Sequence, residues 1–193
     1  MLKQIICPVQ LKDHQKDHVS KVWKSITRHK NFSYGDVSTT GLGKTHTTLT
    51  IAWYLQKKFG MKVCIVASSH QSLYSSDSWD SWAKKYGIDI EIMLTYDQLR
   101  QHRNKVSHPW LVYNQYTKTY SASTKFEMLS QNGLFLIFDE YHKTTRKSET
   151  HRAASALVRS CNRYRSRCKV ALLSFTPGDM PIHFPQILKM LGG

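Results

Sequence analysis

The chain has 193 residues, 40% of them hydrophobic, which is enough for one domain with a substantial core and excludes an intrinsically disordered segment. Its 28 Lys+Arg against 13 Asp+Glu leave a net charge of +15, an imbalance that points to a polyanionic partner, nucleic acid foremost. No apolar run is long enough to span a bilayer, the N-terminal MLKQIICP is too short in its apolar part for a signal peptide, and Cys7, Cys64, Cys161 and Cys168 lack the close pairing of a zinc site; a reduced intracellular compartment, cytoplasmic or nuclear, is therefore expected, with no membrane.

From Asp13 onward, Val19, Val22, Trp23 and Ile26 recur at helical spacing and predict a helix. A short strand over Phe32–Val37 follows, and then the stretch Ser38-Thr-Thr-Gly-Leu-Gly-Lys-Thr45. It ends in the Gly-Lys-Thr of a phosphate-binding loop and stands between a strand and a helix, the context that such a loop requires. Gly41 and Gly43 carry no Cβ, so the backbone of Thr40, Gly41, Leu42 and Gly43 can curl and turn its N–H groups inward on an anion. Lys44 would reach the outer phosphates of a nucleotide, and the Thr45 hydroxyl would take a place on Mg²⁺. Ser38 stands where the first glycine of the motif is usual.

A second helix is predicted over Lys44–Phe59, stopped by Gly60, and a buried strand over Lys62–Ala67. Trp79, Trp82, Ala83 and Tyr86 mark a third helix over Asp77–Tyr86, closed by Gly87, with both tryptophans assigned to the core. A strand over Ile88–Leu94 and a short helix over Tyr96–Arg103 come next; residues 104–122 read as an irregular excursion or hairpin, and Thr124–Gln131 as weakly helical. Leu134–Phe138 is an uninterrupted apolar strand of the kind buried in a parallel sheet. A helix over Thr150–Cys161, a strand over Lys169–Ser174 and a closing helix over His183–Leu191 complete an α/β domain with a mostly parallel sheet.

The strand at 134–138 runs into Asp139-Glu140-Tyr141-His142, which places two carboxylates at the carboxyl edge of the sheet, where open α/β sheets bind ligands. In that position Asp139 would hold Mg²⁺ through water, Glu140 would orient and polarise an attacking water, and His142 would couple the nucleotide to the next segment. Beyond the pair the chain is basic: Lys143, Arg146, Lys147, Arg152, Arg159, Arg163, Arg165, Arg167 and Lys169 face a single acid, Glu149. Arg163, Arg165 and Arg167, crowded in one loop, read as a surface for phosphates.

These motifs, in this order, resemble the first RecA-like domain of a superfamily 2 helicase or DNA translocase, and the resemblance covers nearly the whole chain. GLGKT at 41–45 is similar to the Swi/Snf form of the loop, DEYH at 139–142 to a DExH box, and Ser174-Phe175-Thr176-Pro177 to the Ser-Ala-Thr-Pro segment that links hydrolysis to nucleic-acid movement, with Phe175 in place of a small residue. The run from Thr95 through the box also resembles helicases of large DNA viruses, which would add a virion or virus factory to the locations. The resemblance implies a three-layer RecA-like fold over 1–193, ATP and Mg²⁺ as cofactors, and adenine recognition by Gln15. It implies nucleic-acid contacts from Ser68, Ser69 and His70 and from Thr95 and Tyr96, with DNA ahead of RNA as partner. A second RecA-like domain, in a longer chain or a partner subunit, would supply arginine fingers; without it, weak binding and very slow hydrolysis are expected. Two other classes fit parts of the pattern: a non-catalytic helicase-like module that holds nucleic acid, and a small-molecule kinase.

Overall fold

In the computed structural model the described residues are 7–39, 41–100, 109–144 and 149–174. Thr40, Phe175–Pro177 of the segment that starts at Ser174, Arg146 and Lys147 and the expected helix over 183–191 lie outside them.

The elements run α1 (Asp13–Thr27), β1 (Ser33–Asp36), α2 (Lys44–Phe59), β2 (Lys62–Ala67), α3 (His70–Tyr74), α4 (Trp79–Tyr86), β3 (Ile90–Thr95), β4 (Leu111–Asn114), β5 (Thr119–Ala122), α5 (Thr124–Asn132), β6 (Leu134–Phe138), a 3₁₀ turn at Tyr141–Lys143, α6 (Glu149–Arg163) and β7 (Lys169–Leu173). Five strands form one parallel sheet in the order β1-β7-β6-β2-β3. β6 lies at its centre and is wholly buried. Its continuous apolar run is explained by a core on both faces. Leu134, Leu136 and Phe138 join Cys64, Val66, Val170 and Leu172 beneath α5 and α6. Phe135 and Ile137 join Val63, Ile65, Ala171 and Leu173 beneath α1, α2 and α4. Each such side chain contributes roughly 1.5–3 kcal/mol relative to exposure. The result is the three-layer RecA-like α/β fold expected from the sequence.

Glycines punctuate the site helix. Gly43 and Gly60, both left-handed (φ +85° and +65°), bound α2 at the predicted residues. Most ends lie within two residues of expectation, and three differences have a clear local cause. α4 starts at Trp79 because Ser78 caps it, its Oγ accepting from the Ser81 N–H, while Asp77 accepts from the Trp82 indole instead. β3 starts at Ile90 because the Ile88 N–H still bonds back to the Ala83 carbonyl. The short helix expected over Tyr96–Arg103 is a turn with a 3₁₀ segment as far as it is described, since the Gln98 side chain takes the Thr95 N–H and its own N–H is taken by Thr95 Oγ1. The excursion before α5 contains an antiparallel hairpin, β4 with β5. Among the described residues no helix is long and apolar enough to cross a membrane.

Candidate functional site

β1 leads into the loop through Asp36, which is 3% exposed. Burial pushes its carboxyl up, but His18 and the Ser38 hydroxyl and amide outweigh that and hold it at about 2. His18 Nε2 stands 3.2 Å from Asp36 Oδ2, an ion-pair distance without hydrogen-bond alignment. The carboxylate raises the His18 pKa above its ordinary value. Ser38 therefore has a use where glycine is usual: its Oγ donates to Asp36 at 2.6 Å and anchors the start of the loop. Gly41 and Gly43 both have positive φ, +83° and +85°. Lys44 Nζ folds back over the loop and donates to the carbonyls of Ser38 and Thr39.

Gln15 sits under this loop rather than beside it. It is buried; its Oε1 accepts the Lys12 N–H at 3.0 Å, and its Nε2 lies 3.4 Å from the Leu42 carbonyl. A Cβ on Gly43 would collide with that amide. The side chain expected to read adenine is thus engaged with the phosphate loop and the start of α1.

At the far end of β6, the Asp139 N–H donates to the Val66 carbonyl at 2.8 Å, prolonging the sheet by one bond. Glu140 then turns the chain with φ +51°. Burial raises the Asp139 pKa, and the charge of Glu140 adds to it, against the Trp79 indole and Lys44. The Trp79 Nε1–H donates to Asp139 Oδ2 at 2.9 Å, and the Tyr96 hydroxyl donates to the Asp139 carbonyl at 2.9 Å. His142 Nδ1 meets Ser174 Oγ at 3.1 Å. This is the link between the box and the following motif, made possible because β7 lies between β1 and β6.

These parts meet. Gly41, Gly43, Lys44, Thr45, His46, Asp77, Trp82, Asp139, Glu140 and Ser174 line one cleft of about 620 Å³ at the carboxyl edge of the sheet. A larger cleft, about 810 Å³, between residues 7–11, α1 and α2 is more apolar and has no carboxylate in its lining. The smaller one gathers the loop, the lysine and the acidic pair. Asp139, Glu140, the Thr45 hydroxyl and Lys44, beside a loop with two left-handed glycines, suit a hydrated Mg²⁺ completed by phosphate oxygens, not an all-protein cage.

The other expected residues are placed apart. Ser69 and His70 are exposed just beyond β2, with Ser69 capping α3 and the His70 ring tilted against Tyr74; Ser68 is half-buried. Thr95 and Tyr96, the other pair expected at nucleic acid, are buried: Thr95 Oγ1 accepts the Gln98 N–H, and the Tyr96 hydroxyl donates to the Asp139 carbonyl. Arg163, Arg165 and Arg167 are all exposed; Arg163 also pairs with Glu127 at 2.7 Å and Arg167 bonds the Gln131 carbonyl. Sequence reasoning missed Trp79, Trp82, His46 and Asp77 as neighbours of the site. The signal was the indole N–H, which needs a partner wherever it is buried.

A parallel three-layer domain that delivers a Gly-Lys-Thr loop and an Asp-Glu pair to one cleft is a RecA-like domain of the superfamily 2 helicase type. Residues 8–176 match the family described as type III restriction enzyme, res subunit, and the chain belongs to that family. Similar solved structures include the SWI2/SNF2 ATPase core of Sulfolobus solfataricus in complex with dsDNA, at 17% identity and TM-score 0.55, covering 89% of this chain and 33% of that one. They also include the UvsW helicase from bacteriophage T4, at 16% and 0.49, covering 94% and 58%, and the Pif1 helicase from Candida albicans, at 14% and 0.42, covering 86% and 33%. The chain therefore spans between a third and three-fifths of the length of these proteins. No curated protein matches it.

Proposed function

We propose that this chain is the ATP-binding domain of a nucleic-acid-dependent ATPase, a helicase or translocase that hydrolyses ATP to ADP and phosphate to move on or unwind nucleic acid, DNA ahead of RNA. The observation that carries the reading is the convergence of Lys44 with Asp139 and Glu140 on one cleft, although the two motifs are about a hundred residues apart in the chain. Bound Mg²⁺·ATP would supply the triphosphate to be cleaved and the metal that neutralises charge developing on it. The loop amides from residue 40 to 44 would cradle the phosphates, and Lys44 would exchange the carbonyls of Ser38 and Thr39 for phosphate oxygens. Thr45 and Asp139 would hold the metal, and Glu140 would orient the water. His142, through Ser174, would carry the state of the cleft towards the following motif. Gln15 would set the loop from below while α1 approaches the base.

The exposed Ser69 and His70, with Ser68, form the proposed backbone contact with nucleic acid, and the net charge of +15 supports a polyanion. Residues 1–193 act as a single RecA-like domain and need a second one, in the same protein or a partner, for arginine fingers worth about 10³–10⁵ in rate. An intracellular setting agrees with the buried free thiols of Cys64, Cys161 and Cys168. The test is binding of a fluorescent ATP analogue with Mg²⁺, and hydrolysis with and without DNA or RNA. Lys44→Ala is expected to abolish binding. Glu140→Gln is expected to keep binding and lose turnover; turnover untouched by Glu140→Gln would refute the role given to that carboxylate.

A further inference from the structure

We infer that Trp79 is a positioning residue for the metal-side carboxylate, acting through Asp139 and not on the nucleotide itself. The inference rests on the ATPase reading above and extends it to a residue outside the two motifs.

Three observations carry it. Trp79 is 2% exposed and opens α4, so its indole is held by the packing of that helix over α2 and the sheet. Its Nε1–H donates to Asp139 Oδ2 at 2.9 Å across sixty residues of sequence. The Asp139 backbone is secured separately, by Val66 at its N–H and by the Tyr96 hydroxyl at its carbonyl. The side chain is therefore the part of Asp139 that Trp79 sets, since the main chain already has its own restraints.

The choice of donor has chemical content. An indole nitrogen only donates, so it cannot turn and present a lone pair to a cation. It is also neutral, so it orients the carboxylate without cancelling the charge that attracts a metal; a lysine or arginine in that place would compete with Mg²⁺. It engages Oδ2; with the Glu140 N–H also on the carboxylate, lone pairs still remain for a metal-bound water. In the same helix Trp82 donates to Asp77, another carboxylate lining the cleft, at 2.5 Å. α4 thus presents two indole donors to two acids on one wall of the site.

The test uses the whole chain and reads the Mg²⁺ dependence of ATP-analogue binding. Trp79→Phe keeps an aromatic ring and removes the donor. It is expected to raise the Mg²⁺ concentration at half-saturation by about tenfold or more, as loss of partners to metal ligands does, with binding in EDTA unchanged. A residue that merely fills the core would alter the melting temperature and leave that titration alone. A Trp79→Phe titration equal to that of the wild type overturns the inference while the ATPase reading stands. Absence of any Mg²⁺-dependent binding by the wild-type chain overturns both. Should Trp79→Phe fail to fold, the indole N–H resonance of the wild-type Trp79 decides: it is expected to move on addition of Mg²⁺ with nucleotide and to shift in Asp139→Asn, and a resonance indifferent to both overturns the assignment.

Discussion

At the scale of single residues the site depends on backbone sign and on fixed charge. Gly43 is left-handed, and a side chain there would also meet Gln15. Gly43→Ala is expected to cost roughly 1–2 kcal/mol from the backbone alone. The loss should persist in a Gln15→Ala background, because removing the collision leaves φ unchanged; urea unfolding of the single and double variants measures it. The His18–Asp36 pair makes stability depend on pH. The His18 pKa is raised from 6.5, so its contribution is complete below 6.5 and fades as pH climbs through the raised value. The carboxyl of Asp36 is depressed from 3.8 to about 2, so its contribution is complete above 3.8 and is lost as pH falls through about 2. Between these limits the pair stabilises most. His18→Asn is expected to flatten the decline in stability from pH 6.5 upward, measured by melts across that range. Ser38, by contrast, is a departure from the motif that the structure accounts for, through its hold on Asp36.

At the scale of elements, the inner strands were legible because burial on both faces leaves an apolar run, as in Leu134–Phe138 of β6 and Val170–Leu173 of β7. α2 was legible because glycine marks both its ends. α3 was not, since five residues are too few to show a period. The start of α4 was placed two residues early, at Asp77, because the cap at Ser78 and the bond from the Trp82 indole to Asp77 are visible only in the fold. Only Arg163, Arg165 and Arg167 of the basic run were read as a phosphate surface; Arg152 and Arg159 on α6 bond carbonyls of Lys118 and Tyr120 in the hairpin, and the exposed Arg163 also pairs with Glu127 on α5. Charge counts in a sequence do not say which cations a neighbouring element will claim. The central strand sets the stability of the whole: Leu136→Ala, at a fully buried position, is expected to cost about 2–5 kcal/mol. A denaturant midpoint that hardly moves would mean that β6 is not the core of the sheet.

At the scale of the whole molecule, the charge of +15 predicts binding to DNA that weakens steeply with salt. With even two phosphates neutralised, affinity should fall by about tenfold between roughly 50 and 200 mM salt. Fluorescence anisotropy with a labelled duplex measures the slope, and a flat response would remove the electrostatic basis for the partner. The amino-acid sequence determined by itself the class of fold, the phosphate loop and the acidic pair, because glycine sterics and apolar runs are local properties that neighbours in the chain declare. Only the tertiary structure decided that β7 enters between β1 and β6, bringing Ser174 to His142, and that Tyr96 and Trp79 turn inward onto Asp139. Strand order and the partner of a buried donor depend on contacts between residues far apart in the chain, and no window along it contains both members of such a contact.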